Sequence, residues 1–265
     1  MRRSITLLCA AVLLCAGCSG EPDKDAADGA GKSSAPSADH GRAVRAAIAA
    51  TGRTTARIEK KIETGDGTKT YTITVAGGFD LAADKGRLAV DLPGGAISRL
   101  DEIFADGDVY LRGVQGVEDT WGSMPRDKAE GHYMLRAPLN DPEHTLKQVA
   151  AMRRVSKLGD EKVNGVPATH YRGMIDHATL TLRLAKSARS KADEMRDLLG
   201  SEIPVFADAW VDGEGRAVRV RLSFTSSIKS EVTMTLSDFG KPVTASAPPS
   251  SEVVPLTSVK GVLPG

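Results

Sequence analysis

Hydrophobic and polar positions change their spacing several times along the chain, and each change marks an element. Val44, Ala47 and Ile48 recur at helical spacing between Asp39, a good N-cap, and Gly52, a good residue for a helix end. A first helix is therefore expected from 39 to just before 52. The period then switches to two. Thr54, Ala56, Ile58 and Ile62 alternate with Arg53, Thr55, Arg57, Glu59 and Lys61, the pattern of a strand with one wet face. Beyond a Gly65-Asp66-Gly67 turn, Tyr71, Ile73 and Val75 alternate with Thr70, Thr72 and Thr74. Gly77-Gly78, Asp84-Lys85-Gly86 and Asp106-Gly107 read as punctuation between further short strands, among them Leu88-Val90-Leu92 and Val109-Tyr110-Leu111. Asp-Gly between alternating runs is a hairpin signal.

A second helix should open at Asp141, which can cap it, with Pro142 in the first turn and Glu143 favoured by the positive helix end. Leu146, Val149 and Met152 follow on one face. Val155 to Leu158 and Ala168 to Ile175 read as a hairpin around Asn164-Gly165, and one or two helices are expected between Asp176 and Leu199. The last third carries the clearest sheet signal. Val205 to Val211 forms a strand, and Asp212-Gly213-Glu214-Gly215 turns it. Val218, Val220, Leu222 and Phe224 then alternate with Arg219, Arg221 and Ser223, and Val232, Met234 and Leu236 continue the pattern. Consecutive hairpins make a meander whose apolar face must be covered, and the helices are too few for a two-layer α/β sandwich. The expected fold is α+β: a curved antiparallel β-sheet, a half-barrel, packed on a few helices.

The first residues have a different character. Met1-Arg2-Arg3 is a positive start, and Ile5 to Ala16 is apolar apart from Thr6, Cys9 and Cys15. That reads as a secretory signal peptide over residues 1–17, too short for a spanning helix. Cys15-Ala16-Gly17-Cys18 resembles the bacterial lipobox, which implies cleavage before Cys18 and a diacylglycerol cysteine with palmitate-type acylation at that position. Residues 18–38 have no large apolar side chain and read as a flexible tether, holding the body roughly 25 Å from a bilayer. Residues 39–243 are then the folded domain, and 244–265 a Pro/Ser-rich C-terminal tail.

Composition narrows the function. The chain has 265 residues and a formal net charge of +1, so no overall field recruits nucleic acid. All three cysteines, Cys9, Cys15 and Cys18, precede residue 19, which leaves the body without a disulfide, a thiolate metal site or a catalytic thiol. The five histidines, His40, His132, His144, His170 and His177, include no His-x-x-x-His pair, and a satisfied or solvated role is expected for them. Ser226-Ser227-Ile228-Lys229 matches Ser-x-x-Lys, yet it falls between strands with none of the accompanying motifs. Arg153-Arg154 and Arg219/Arg221 read as wet strand faces. No catalytic constellation, metal site or cofactor is expected, and the protein is read as a non-enzyme.

Phe206-Ala207-Asp208-Ala209-Trp210-Val211-Asp212-Gly213-Glu214-Gly215-Arg216, with the alternating strand after it, resembles the late hairpin of the LppX/LprAFG lipoproteins. So do Asp106-Gly107-Asp108-Val109-Tyr110-Leu111 with Trp121, the run Gly165-Val166-Pro167-Ala168-Thr169-His170-Tyr171-Arg172-Gly173, and Asp238-Phe239-Gly240-Lys241-Pro242-Val243 with Pro248-Pro249. The resemblance runs from about residue 40 to 254. It implies a LolA/LppX-like half-barrel around a hydrophobic cavity, and carriage of a lipid or glycolipid between envelope layers. Aromatic residues are only 4% of the chain, so aliphatic side chains would line such a cavity. The inward candidates are Ile58, Ile73, Val75, Leu88, Val90, Val109, Leu111, Val218, Val220, Leu222, Phe224, Val232 and Met234. The expected partners are the membrane, through the N-terminal anchor, the lipid ligand, and a membrane transporter of the kind a carrier would serve. No nucleic acid is expected, and the protein is read as a monomer. The alternative reading is a structural or sensory envelope lipoprotein acting through a protein partner.

Overall fold

The computed structural model describes residues 38–65, 68–93, 98–114, 117–225 and 229–257. The expected signal peptide, Cys18 and the tether up to residue 37 lie outside them, as do Asp66-Gly67 and Ser226 to Ile228. Helix α1 (Ala38–Thr51) forms where the apolar stripe places it, with Val44 and Ala47 buried. Its last residue has a second role. The Thr51 hydroxyl donates to the Ala47 carbonyl at 2.9 Å and accepts from the Ala217 backbone N–H at 2.9 Å, tying the helix end to a distant strand.

Two meanders follow. The first is β1 (Thr55–Gly65), β2 (Thr70–Asp80), β3 (Lys85–Asp91), β4 (Arg99–Ala105), β5 (Asp108–Arg112) and β6 (Trp121–Pro125). Helix α2 (Pro142–Ala150) leads into the second, which begins with β7 (Arg153–Val163) and β8 (Val166–Ile175). After the short α3 (His177–Leu180) and α4 (Lys186–Leu199), it continues through β9 (Val205–Asp212), β10 (Ala217–Thr225) and β11 (Lys229–Ser237). The two join because β11 pairs with β1, giving the order β12-β6-β5-β4-β3-β2-β1-β11-β10-β9-β8-β7, where β12 is Val253–Pro255. The sheet is open, and α1 and α2 pack over β9 and β10, with α1 also reaching β7. Asp106-Gly107 and Asn164-Gly165 each have positive φ at both residues, as the tight hairpins anticipated from sequence require.

Period two sorts the side chains cleanly. Ile58, Val75, Leu88, Val90, Leu111, Val220, Leu222 and Met234 are all fully or nearly fully buried in one apolar cluster on the concave face. Phe79 and Phe104 meet edge-on, with centroids 5.2 Å apart, in the same cluster. The outer edge strand β7 carries exposed Arg153, Arg154, Lys157, Glu161 and Lys162, charges that discourage pairing with another chain.

Three expectations need correction. Gly77-Gly78 does not punctuate; β2 runs straight through it, with Gly77 paired to Ile58 on one side and Leu88 on the other. A Cβ at Gly77 would collide with the Arg87 carbonyl of β3, so this glycine serves close approach of strands instead of a turn. Val218 leaves the stripe of Val220 and Leu222. A bulge between Ala217 and Arg219 inverts the alternation, so Ala217 joins the concave core and Val218 packs with Val163, Ala168 and Trp210 in a separate cluster. Lastly, the segment read as a tail supplies β12, which pairs parallel with β6, so the sheet is mixed at that edge and otherwise antiparallel.

Candidate functional site: an apolar cleft over a buried polar cluster

A cleft of about 220 Å³ opens at one end of the sheet, where β1, β9, β10 and β11 face the segment 133–136 and α4. Ile62, Val205 and Phe224 form its sheet wall, and Leu135 and Met195 close the other side. Ile62, Val205, Phe224 and Leu135 also belong to the concave apolar cluster, so the cleft is continuous with the core. Among the described residues of its lining, Arg136 alone carries a charge.

Two residues deeper on β1, in phase with Ile58 and Ile62, lies Lys60, only 3% exposed. Its ammonium donates to the Asn140 carbonyl at 2.9 Å and to the Thr145 hydroxyl at 3.2 Å. Asn140 in turn donates from Nδ2 to Glu102 Oε1 at 2.8 Å and accepts at Oδ1 from Arg136 Nε at 3.4 Å. β1 and β4 are three strands apart, about 14 Å in a flat sheet. One asparagine bonds side chains from both, so the loop that carries it bridges the inner face of the sheet from β1 to β4. Burial lowers the Lys60 pKa to about 8 against the pull of Asp141 and Glu102. It raises that of Glu102 to about 8, against the hydrogen bond from Asn140 and the charges of Arg136 and Lys60. Glu102 is therefore largely a neutral acid at neutral pH, and its Oε2 has no partner among the described residues.

Asp141 anchors the other side of this cluster. Its Oδ1 accepts from the Glu143 and His144 amides at 2.9 and 3.4 Å, which is the N-cap of α2. Both its oxygens also take the Arg126 guanidinium, at 2.9 and 2.8 Å, and Arg126 lies over the rings of Phe79 and Phe104. Burial alone would raise the Asp141 pKa; the Arg126 hydrogen bonds and charge hold it below the usual carboxylate range. His144 is driven down to about 4 by burial and is neutral. Leu135, Leu139 and Asn140 all have positive φ (66°, 46° and 54°), a conformation costing on the order of 1–3 kcal/mol each for a non-glycine residue. The packed surroundings hold that strain in the loop bordering the cleft.

Of the inward candidates expected from sequence, Phe224 lines the cleft, while Ile58, Ile73, Val75, Leu88, Val90, Val109, Leu111, Val220, Leu222, Val232 and Met234 pack in the concave core. Lys60, Glu102, Arg136 and Asn140 were not anticipated. The signal existed for two of them, since Lys60 and Glu102 each occupy an inward position between apolar neighbours, Ile58 and Ile62, and Leu100 and Phe104. The rest depends on a loop with no periodicity to read.

On the opposite face, Asp208 is fully buried among His170 (2.7 Å), Arg172 (2.8 Å) and Arg221 (3.1 Å). His170 stacks on Trp210 with centroids 4.1 Å apart and also meets Glu161 at 2.8 Å. Arg219 and Arg221 lie over the same indole, so this arginine pair is half-buried structure and not a wholly wet face. Burial would raise the Asp208 pKa, but His170 and the two arginines keep it below the ordinary value. Among the described residues there is no cluster of His, Cys, Asp and Glu suited to a metal ion, and no helix long and apolar enough to cross a membrane.

An open half-barrel with helices on its concave face is also the fold of two mycobacterial lipoproteins. LprF from Mycobacterium bovis superposes with a TM-score of 0.51 at 15% identity, over 81% of this chain and 99% of that one. LppX from Mycobacterium tuberculosis gives 0.50 at 13% identity, over 78% and 98%. Residues 78–245 match the LppX_LprAFG lipoprotein family, and the chain belongs to it. A Streptomyces griseus protein, described as an uncharacterized 31.2 kDa protein in the rplA-rplJ intergenic region, is 34% identical over 121 residues; that match spans 43% of this chain and 38% of the relative. The family is a lipoprotein family, and the likeness to LprF and LppX is one of fold.

Proposed function

We propose that this protein is an extracytoplasmic lipoprotein, anchored through an acylated Cys18, that takes the apolar chain of a lipid into the cleft at the end of its half-barrel. The observation that carries the reading is the continuity of that cleft with the concave aliphatic core, in a chain whose family is a lipoprotein family. A methylene leaving one apolar phase for another gains and loses about 0.8 kcal/mol, so exchange between bilayer and cleft needs no energy source. The tether lets the mouth approach the membrane. Handing the lipid on would then fall to a membrane transporter or an outer envelope layer.

The test is direct. Full-length protein with Cys18→Ala, purified from a related host and extracted with solvent, should yield acyl lipid near one equivalent by mass spectrometry. Protein that carries none and takes up none from vesicles contradicts the reading. Palmitate labelling of the wild-type chain should be lost in the same variant; labelling that survives would place the anchor elsewhere.

A further inference from the structure

Large apolar side chains stand exposed around the mouth of the cleft, with only solvent beside them. Tyr133 lines the cleft and is exposed. Tyr71, also exposed, pairs across the ladder with Thr64, and exposed Phe206 adjoins Val205; Thr64 and Val205 both line the cleft. Leu198 and Leu199 follow Met195, another lining residue, by three and four positions on α4 and continue its helix face outward. Leu198 is 89% exposed, the most of any large apolar side chain among the described residues. Apolar residues exposed singly need no explanation, but these share one end of the sheet. We propose that this rim is a membrane-docking surface, where Tyr71, Tyr133, Leu198, Leu199 and Phe206 enter the interfacial layer of a bilayer and hold the cleft mouth against it.

The inference rests on the lipid-binding reading above and supplies its point of contact. Aromatic rings beside leucines match the apolar-to-wet gradient of a bilayer interface. The Lys69 ammonium lies 4.7 Å from the centre of the Tyr71 ring and the Arg172 guanidinium 5.9 Å from that of Phe206, so long cationic side chains can rest along the interface with their heads in water. Helix α1 fixes where the chain from Cys18 arrives. Its last residue, Thr51, bonds Ala217 at the start of β10, the end of that strand remote from Phe224. Its first turn packs Gly41 against Val155 of β7, near the row in which Arg153, Met174 and Phe206 pair. The anchored chain therefore enters the body at the end that carries the rim. A protein seated there would cover the opening, whereas a bilayer presents lipid to it. Charge is balanced at this end, with Arg196 against Asp197 at 3.3 Å and Lys61 against Glu63 at 2.8 Å, so apolar insertion and not attraction to anionic lipid drives the contact.

Flotation of the Cys18→Ala protein with vesicles of phosphatidylcholine, alone or mixed with phosphatidylglycerol, checks it, because without the acyl anchor only the rim can hold the bilayer. The protein should float with both to a similar extent. Replacing Leu198 and Leu199 together by serine should weaken partitioning by at least about tenfold. Val166→Ser, at an exposed valine that opens β8 at the opposite end of the sheet, should change nothing. A tryptophan placed by Leu198→Trp should be quenched by vesicles with brominated acyl chains, while the buried Trp121 and Trp210 should not. The quenching needs no loss of binding, so a misfolded serine variant leaves the test decisive. Binding confined to the anionic vesicles and abolished by salt overturns apolar docking, and flotation without quenching at position 198 overturns the choice of face. A dimer that forms without vesicles and is lost in the serine variant assigns the rim to a second copy instead. Flotation with neither vesicle overturns the inference, and lipid extracted from the same protein would then leave the reading beneath it standing.

Discussion

Replacing Asp141 by alanine should lower the free energy of unfolding by about 3–5 kcal/mol. Two costs combine at one side chain. The first is the N-cap: the amides of Glu143 and His144 lose their acceptor, a loss of roughly 0.5–2 kcal/mol in comparable helices. The second is larger. Arg126 gives two hydrogen bonds to a carboxylate whose side chain is only 4% exposed, and alanine leaves that guanidinium over two phenyl rings with Glu143 and Asp84 as its remaining acids. Asp141→Asn separates the two, because the amide oxygen can still cap the helix while the charge is gone. Its loss should be smaller than that of alanine. Urea denaturation of the Cys18→Ala protein measures both, and a loss below about 1 kcal/mol for Asp141→Ala would show that Arg126 is satisfied without it.

Glu102→Gln should change the pH dependence of stability more than stability itself. Glu102 has a folded pKa raised to about 8 from an ordinary value of 4.5. The folded state therefore holds its proton more tightly, so the stabilisation is complete below about pH 4.5 and is lost as the pH rises through about 8. Glutamine keeps an acceptor for Asn140 Nδ2 and does not titrate. The variant should match the wild type near pH 4.5 and exceed it progressively towards pH 8, by on the order of 2–4 kcal/mol at the upper end. His144, held down to about 4, makes stability rise with pH between about 4 and 6.5, but it does so in both proteins and cancels in the difference. Denaturation curves at pH 5, 6.5 and 8 show the trend. A difference that stays constant with pH means that Glu102 is ionised in the folded protein throughout.

These two carboxylates show where the sequence was legible and where it was not. Asp141 was readable as a cap because Asp-Pro-Glu before an apolar helical stripe has one local meaning. Its partner Arg126 lies 15 residues away after β6, and nothing local announces the pair. The strands were readable because period two is a property of contiguous residues; Ile58, Leu88, Val220 and Leu222 fell on the inward face as expected. Val218 failed because a bulge between Ala217 and Arg219 breaks the alternation at that one point, leaving Val220 and Leu222 inward and turning Val218 to the other face. Gly77-Gly78 failed because a glycine that allows strands to approach looks the same in sequence as one that turns the chain. The cleft was largely hidden, since Tyr133, Met134, Leu135 and Arg136 form an aperiodic run brought to the strand ends only by the fold.

That cleft carries the account, and photolabelling at residue resolution tests it most directly. The Cys18→Ala protein would be loaded with a palmitate bearing a diazirine on its chain, irradiated, digested and mapped by mass spectrometry. The account expects saturable adducts, competed by oleate, on peptides containing residues 133–136, Met195 and Phe224. Adducts confined to exposed apolar side chains such as Leu158, Val166 and Val254, or labelling that oleate does not displace, would contradict it.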